Sequence, residues 1–195
     1  MKKLVVEEIS PTVREFMSRF GPCPDGDTSE GIPLSGVMMC HIMMLNSVIE
    51  RTGNRLLEEH GLTLPQWLAL GRISRAGDEG LPHSQLGHQL MLSKAPITGI
   101  VDRLERAGLV ERRADTKDRR VSRAIATPKG VETWWNVKHT LRQNSEGIIG
   151  TCLSSDEQEQ LLSLMGRLLE AFAHSDPTLT DLSPKDATSE EPCPK

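Results

Sequence analysis

Ser93-Lys94-Ala95-Pro96-Ile97-Thr98-Gly99-Ile100-Val101-Asp102-Arg103-Leu104-Glu105-Arg106-Ala107-Gly108 is the stretch whose reading decides the fold. Ser93 is placed to cap a helix, its hydroxyl free to accept an amide of the first turn that has no intrahelical partner. Pro96 falls in that first turn, where a missing N–H costs little. Ile97, Ile100, Val101, Leu104 and Ala107 recur at helical spacing, and Gly108 stands where a left-handed residue ends a helix. Just upstream, His83-Ser84-Gln85-Leu86-Gly87-His88-Gln89-Leu90 reads as a short polar helix, joined by only Met91-Leu92. Two helices with so small a link form a helix-turn-helix, whose second helix presents Lys94, Ala95, Thr98 and Arg103 outward.

Downstream the period changes. Leu109 to Arg113 and Val121 to Ala126 alternate like strands, and the charged Asp115-Thr116-Lys117-Asp118-Arg119-Arg120 turns between them. Leu81-Pro82 supplies a short first strand. The fold class is therefore mainly α with a small β-hairpin wing. The formal net charge is −4, but Ser93 to Arg123 holds nine Lys/Arg against five Asp/Glu, a local excess of +4. Phosphate binding follows local sign and not the total. A charge run alone is usually a solvated face; its coincidence with a helix-turn-helix and wing favours a nucleic-acid surface.

These residues resemble the multiple-antibiotic-resistance regulator (MarR) family. Ser93-Lys94-Ala95-Pro96-Ile97-Thr98 and Asp102 through Arg112 look like its recognition helix and following strand. Asp118-Arg119-Arg120 looks like its wing signature, and Thr127-Pro128-Lys129-Gly130 like the start of its next helix. The resemblance runs from about Leu34 to Phe172 and is specific between Ser93 and Gly130. It implies a homodimeric transcriptional regulator on double-stranded DNA, with long helices forming an interlocked dimerisation bundle. Two recognition helices imply a pseudo-palindromic operator with half-sites about one helical turn apart.

Working outward, residues 1–33 form an extension in which Ser10-Pro11 opens an amphipathic helix with Ile9, Val13, Phe16, Met17 and Phe20 on one stripe. Residues 34–62 hold a long helix closed by Gly61. Val37, Met38, Met44, Leu45, Val48, Ile49 and Leu56 give it a broad apolar face, more than a monomer covers easily. Thr63-Leu64-Pro65-Gln66 is a capping box for a helix with Trp67, Leu68, Leu70 and Ile73 inward. It opens the 63–127 winged region. Residues 128–174 carry two long helices, the first with Val131, Trp134, Val137, Leu141, Ile148 and Ile149 inward. Ser154 and Glu157 form a second capping box, ahead of Leu161, Leu164, Met165, Leu168 and Phe172. Residues 175–195, with Pro177, Pro184, Pro192 and Pro194 among Ser, Thr and acids, read as a disordered tail.

On DNA, Lys94 and Arg103 would reach phosphates or guanine edges, and Thr98 a base edge or thymine methyl, with Ser93 and Ala95 beside them. Ser84 and Gln85 would anchor backbone phosphates near the start of their helix. In the wing, Arg113 and Lys117 would contact DNA, and Arg119 and Arg120 would project toward the adjacent minor groove. Asp118 is a better partner for those arginines than for phosphate, which it would repel. Many family members carry a polar residue and an arginine where this chain has Pro96 and Gly99, a departure that shifts reading toward shape and backbone.

By family analogy a small lipophilic or phenolic effector would sit among His41, Leu45 and Trp67, positions that plain core packing explains equally. Four widely spaced cysteines exclude a disulfide framework or structural zinc site. Cys40 is a redox alternative, because peroxide-sensing relatives carry a cysteine at nearly this distance before a triplet like Pro65-Gln66-Trp67. Those sensors bond the thiolate with tyrosines, and this chain has none. The six histidines show no paired metal-ligand spacing. No phosphate loop, nucleophile elbow or His-Glu-x-x-His appears, so neither an enzyme nor a cofactor is expected. A winged helix that binds protein, such as an antirepressor, is the remaining alternative. No apolar run spans a membrane and no signal peptide is recognisable, which places the expected protein in the cytoplasm.

Overall fold

A computed structural model describes residues 3–4, 11, 14–15, 32–115, 118 and 120–175. The chain divides into two units, Met1–Leu64 and Pro65–Lys195.

In the first unit a minimal antiparallel pair, β1 (Lys3–Leu4) and β2 (Ile32–Pro33), precedes the 24-residue helix α1 (Leu34–Leu57). This pairing has no signal in the sequence. Pro11, Arg14 and Glu15 are helical. The apolar stripe expected there, Ile9, Val13, Phe16, Met17 and Phe20, lies outside the described residues. One 3-10 turn, Glu58–His60, extends α1 to Gly61, whose φ of 64° is the left-handed conformation expected of it. The Leu62 amide donates to Leu57 O at 3.2 Å and the Gly61 amide to Glu58 O at 2.9 Å, satisfying carbonyls the helix end would otherwise orphan. Asn54 Oδ1 accepts the Leu64 amide at 2.7 Å. Of the apolar face expected on α1, Val37 is buried, whereas Met38, Leu45, Val48 and Ile49 are exposed, together with Met39, Ile42 and Met43.

The second unit begins with α2 (Leu64–Arg75) and a 3-10 turn, Gly77–Glu79. Next come β3 (Leu81–Pro82), α3 (His83–Gln89), α4 (Lys94–Arg106), β4 (Val110–Ala114) and β5 (Ser122–Ala126). The strands form an antiparallel sheet in the order β3-β5-β4, with Ala124 opposite both Leu81 and Arg112. Leu70, Ile73, Leu86, Ile97, Val101, Leu104 and Val110 are fully buried and make the core of this winged helix. Within α2 the expected inward residue Leu68 is instead exposed and Ala69 is buried. Leu70 and Ile73 are buried as expected, with Gln66 and Gly71 beside them.

Two helices complete the unit, α5 (Pro128–Cys152) and α6 (Ser155–Ser175). Thr127 caps α5 by accepting the Gly130 amide at 3.0 Å, and Ser154 and Glu157 complete a capping box at the start of α6. Trp134 lies directly over Gly71 of α2, where a Cβ would overlap the indole. Its ring stacks with Trp67 at 6.2 Å, meets Trp135 edge-on at 4.9 Å, and has Lys138 Nζ 5.1 Å from its centroid. Val137 is buried too, but Ile148 and Ile149, expected inward, are exposed. None of the 21 residues of α6 is buried, and Leu161, Leu162, Leu164, Met165, Leu169 and Phe172 are exposed. Most of the stability of a helix in a protein comes from packing of its apolar face, so this amphipathic helix calls for burial against something.

Candidate nucleic-acid interface

The turn between α3 and α4 is closed by backbone. Met91 N–H donates to His88 O at 3.1 Å and Leu92 N–H to Gly87 O at 2.9 Å, the double bond of a Schellman ending. It requires a left-handed residue, and Met91 takes that place with φ 54°. Gly87 is needed for a different reason. A Cβ there would come 2.9 Å from Leu92 O, so the glycine lets the second helix approach the first.

Ser93 stands at the N-cap of α4 with extended backbone, as expected, but its hydroxyl makes no capping hydrogen bond. The cap contributes backbone geometry only, which leaves the exposed hydroxyl available to another acceptor or donor. Ile97, Ile100, Val101 and Leu104 are buried, and Ala95, Thr98 and Arg103 are exposed. Lys94 is the first residue of the helix. Ala107, expected on the inner stripe, is exposed as the C-cap residue, because the Schellman turn at Gly108 (φ 70°) lifts the chain away. Ser84 and Gln85 are exposed in the first turn of α3.

The basic side chains divide into two sets. Arg112 pairs with Asp102 and, at 3.5 Å, with Glu105, tying β4 back to α4. Arg123 is held by the protein through all three of its nitrogens, Nη1 donating to Asp115 Oδ2 at 2.6 Å, Nε to Glu79 O at 2.7 Å and Nη2 to Gly80 O at 3.1 Å. Arg103 and Arg113 are exposed and form no ion pair among the described residues. Arg120 belongs with them in exposure but is held at its base. Its amide and Nε donate to Asp118 Oδ1, both at 3.0 Å, and its Nη2 to Oδ2 at 3.1 Å. The Arg120 guanidinium keeps the Asp118 carboxyl below the usual carboxylate range, and the arginine side chain is still 90% exposed. An acid that grips one end of a guanidinium while the rest faces solvent orients a cation without removing it from use. Lys117 and Arg119 lie outside the described residues. The charge count of this stretch thus overstates what can face phosphate, since Arg112 and Arg123 serve the fold.

His83, at the start of α3, was not singled out by its spacing. Its Nε2 is buried with no hydrogen-bond partner among the described residues. Burial, and then the charge of Arg112, pull its pKa below the ordinary 6.5, with Asp102 and Glu105 opposing. The folded state therefore prefers the neutral ring, and the unfolded chain takes up the proton first. This contribution to stability is complete above about pH 6.5, shrinks as pH falls through that value, and stops shrinking below the lowered folded value. Melting temperatures from pH 7.5 to 5 should consequently drop further in the wild type than in His83→Gln. Parallel curves would show that the ring is not held neutral.

Among the remaining candidates, His41 Nδ1–H donates to Val37 O at 2.7 Å within α1, and Leu45 on the same helix is exposed. Trp67 Nε1 donates weakly to Trp134 O at 3.4 Å. Cys40 is a half-buried free thiol. Among the described residues there is no group of three His, Cys, Asp or Glu side chains able to hold a metal, and no helix is long and apolar enough to cross a membrane.

A helix-turn-helix with a solvated outer face, followed by a β4–β5 hairpin wing carrying an oriented arginine, defines a winged-helix DNA-binding protein. Comparison with known proteins narrows this. The MarR family profile matches residues 62–122. The transcriptional activatory protein BadR of Rhodopseudomonas palustris is 31% identical over 120 residues, 61% of this chain and 69% of BadR. The transcriptional repressor MprA of Escherichia coli K12 is 27% identical over 141 residues, 72% of this chain and 80% of MprA. Among solved structures, the MarR family transcriptional regulator Sco5413 of Streptomyces coelicolor superposes with a TM-score of 0.63 at 25% identity, covering 73% of this chain and 97% of that one. The chain belongs to the MarR family of DNA-binding transcriptional regulators. Its relatives are regulators and not enzymes.

Proposed function

We propose that the protein is a homodimeric repressor that holds a pseudo-palindromic operator and is released from it by a small lipophilic or phenolic effector. The observation that carries the DNA-binding part is the division of α4 into a buried face and an exposed one, beside the Asp118-oriented Arg120. In this reading α4 lies in the major groove. Ser93, Lys94, Ala95, Thr98 and Arg103 meet base edges and phosphates, while Ser84 and Gln85 bond the backbone from α3. Arg113 and Lys117 contact DNA from the wing, and Arg119 and Arg120 enter the minor groove, with Asp118 as the orienting acid.

Dimerisation is supported by the apolar side chains left exposed on α1 and on α5 and α6, since long exposed apolar faces mark interaction surfaces. An effector acts by preferring one spacing of the two wings over another, since only differential affinity can shift such an equilibrium. His41, Leu45 and Trp67 are the proposed effector contacts. Relatives named both as activator and as repressor make the direction of regulation a point for experiment.

Selection of binding sites from a random-sequence duplex pool, combined with sedimentation of the free protein, tests the reading. It predicts a dimer and a recovered motif with two-fold symmetry and half-sites about one helical turn, roughly 10 bp, apart. A monomer, or a pool with no enriched sequence, would contradict it. Release by peroxide and not by phenols would move the sensor to Cys40.

A further inference from the structure

We infer that Arg123 is the positioning residue of the wing: it fastens Asp115 to the turn at Glu79 and Gly80, and thereby holds Arg120 where a minor groove can receive it. The inference rests on the reading that Arg120 meets DNA.

Asp115 is the residue at which β4 passes into the wing loop, and Val121 is where the loop returns to β5. The loop closes with Asp115 N–H donating to Val121 O and Val121 N–H to Asp118 O, each at 2.9 Å. Inside it, Asp115 Oδ1 accepts the Asp118 amide at 3.1 Å, and Asp118 in turn grips Arg120 through three donors. The other carboxylate oxygen of Asp115 is taken by Arg123. A continuous path of hydrogen bonds therefore runs from the carbonyls of Glu79 and Gly80 through Arg123, Asp115 and Asp118 to Arg120. Each link is a bond of ordinary length.

Burial separates the roles along this path. Side-chain exposure is 14% at Asp115, 26% at Arg123 and 90% at Arg120. A carboxylate as covered as Asp115 needs a partner, because a desolvated unpaired charge is costly. Without Arg123 the carboxylate loses its bond at Oδ2 and with it the tie to Glu79 and Gly80, so the Asp118 amide held at Oδ1 is no longer fixed to that turn. Only a planar fork meets three acceptors in fixed directions, so a lysine, a single point of charge, would not replace the arginine. The receiving turn is equally fixed. Gly80 has φ 65°, and a Cβ would stand 2.7 Å from Ala124 O, so no other residue presents its carbonyl in this way. Three of the five N–H groups of Arg123, one on each nitrogen, are taken by these bonds within the protein.

The test is a double-mutant cycle on the duplex recovered by site selection, combining Arg120→Ala with Arg123→Gln. Each single variant is expected to bind about tenfold more weakly or worse. The double variant should be no weaker than Arg123→Gln alone, because a wing already out of place gains nothing from Arg120. Minor-groove protection from hydroxyl radicals should be lost in Arg123→Gln while major-groove protection by α4 persists, and Arg123→Lys should not rescue. If Arg123→Gln melts below the assay temperature, Asp115→Asn takes its place in the cycle with the same expectation. Effects that multiply, with the salt slope of the double variant falling about one further below that of Arg120→Ala, would make Arg123 a phosphate contact itself and overturn the inference. Binding of Arg123→Gln equal to wild type would overturn it as well. If instead Arg120→Ala alone binds like wild type, the failure lies in the reading that Arg120 meets DNA.

Discussion

Replacing Leu104 by alanine is expected to destabilise the winged helix by about 3 kcal/mol, within the range of roughly 2–5 seen for buried leucines. Leu104 is fully buried on the inner face of α4, in the layer that holds Ile97 and Val101. Truncation removes transfer energy and leaves a cavity that a helix pinned at both ends cannot close. A loss of that size should lower the melting temperature by roughly 10 °C. Arg103, the preceding residue, faces solvent. Arg103→Ala should change stability by less than about 0.5 kcal/mol and still weaken DNA binding. Thermal unfolding of the two variants side by side checks the orientation of the helix. A stable Leu104→Ala or a strongly destabilised Arg103→Ala would mean that α4 is rotated from the position described.

Gly130→Ala should be as damaging, by a different mechanism. Gly130 sits in the first turn of α5, where an added Cβ would overlap the carbonyl oxygen of Leu109. The obstacle is backbone, and several bonds fix it there. Leu109 O accepts the Thr127 amide at 3.0 Å, Thr127 Oγ1–H donates to Gly108 O at 2.8 Å, and Lys129 Nζ reaches Ala107 O at 3.1 Å. Through this joint the end of the recognition helix sets the direction in which α5 leaves. Relieving the overlap means breaking it, at about 3 kcal/mol, the upper end of ordinary overpacking costs. Thr127→Ala, which removes only the cap and one bond, should cost about 1 kcal/mol. Chemical denaturation ranks the two. If Gly130→Ala proved no worse than Thr127→Ala, the close approach of α5 to Leu109 would be wrong.

Between Ser93 and Gly130 the local signals agree, which is why the fold was legible there. Pro96 tolerated in a first turn, Gly108 at a left-handed terminus and Thr127-Pro128 at a helix start each act within a few residues. Elsewhere the deciding interactions are long-range. The engagement of Arg123 by Glu79 spans 44 residues, and nothing in a basic run tells a cation that faces phosphate from one that staples a sheet. Periodicity identified Ile148 and Ile149 as one face of α5, but a period shows which residues share a face and not whether the same chain covers it. Met91 was missed as a left-handed residue because it is neither glycine nor asparagine; the backbone bonds of the turn impose the conformation despite its cost.

The central claim, that α4 and an arginine-bearing wing grip a duplex together, is tested most directly by one measurement. Affinity for the selected operator would be followed over a series of salt concentrations, with wild type beside Arg120→Ala. The account predicts tight wild-type binding with a steep salt dependence, and a variant that binds about tenfold more weakly or worse with a shallower slope, one fewer phosphate lowering it by about 0.9. Identical slopes and affinities for the two proteins would contradict it.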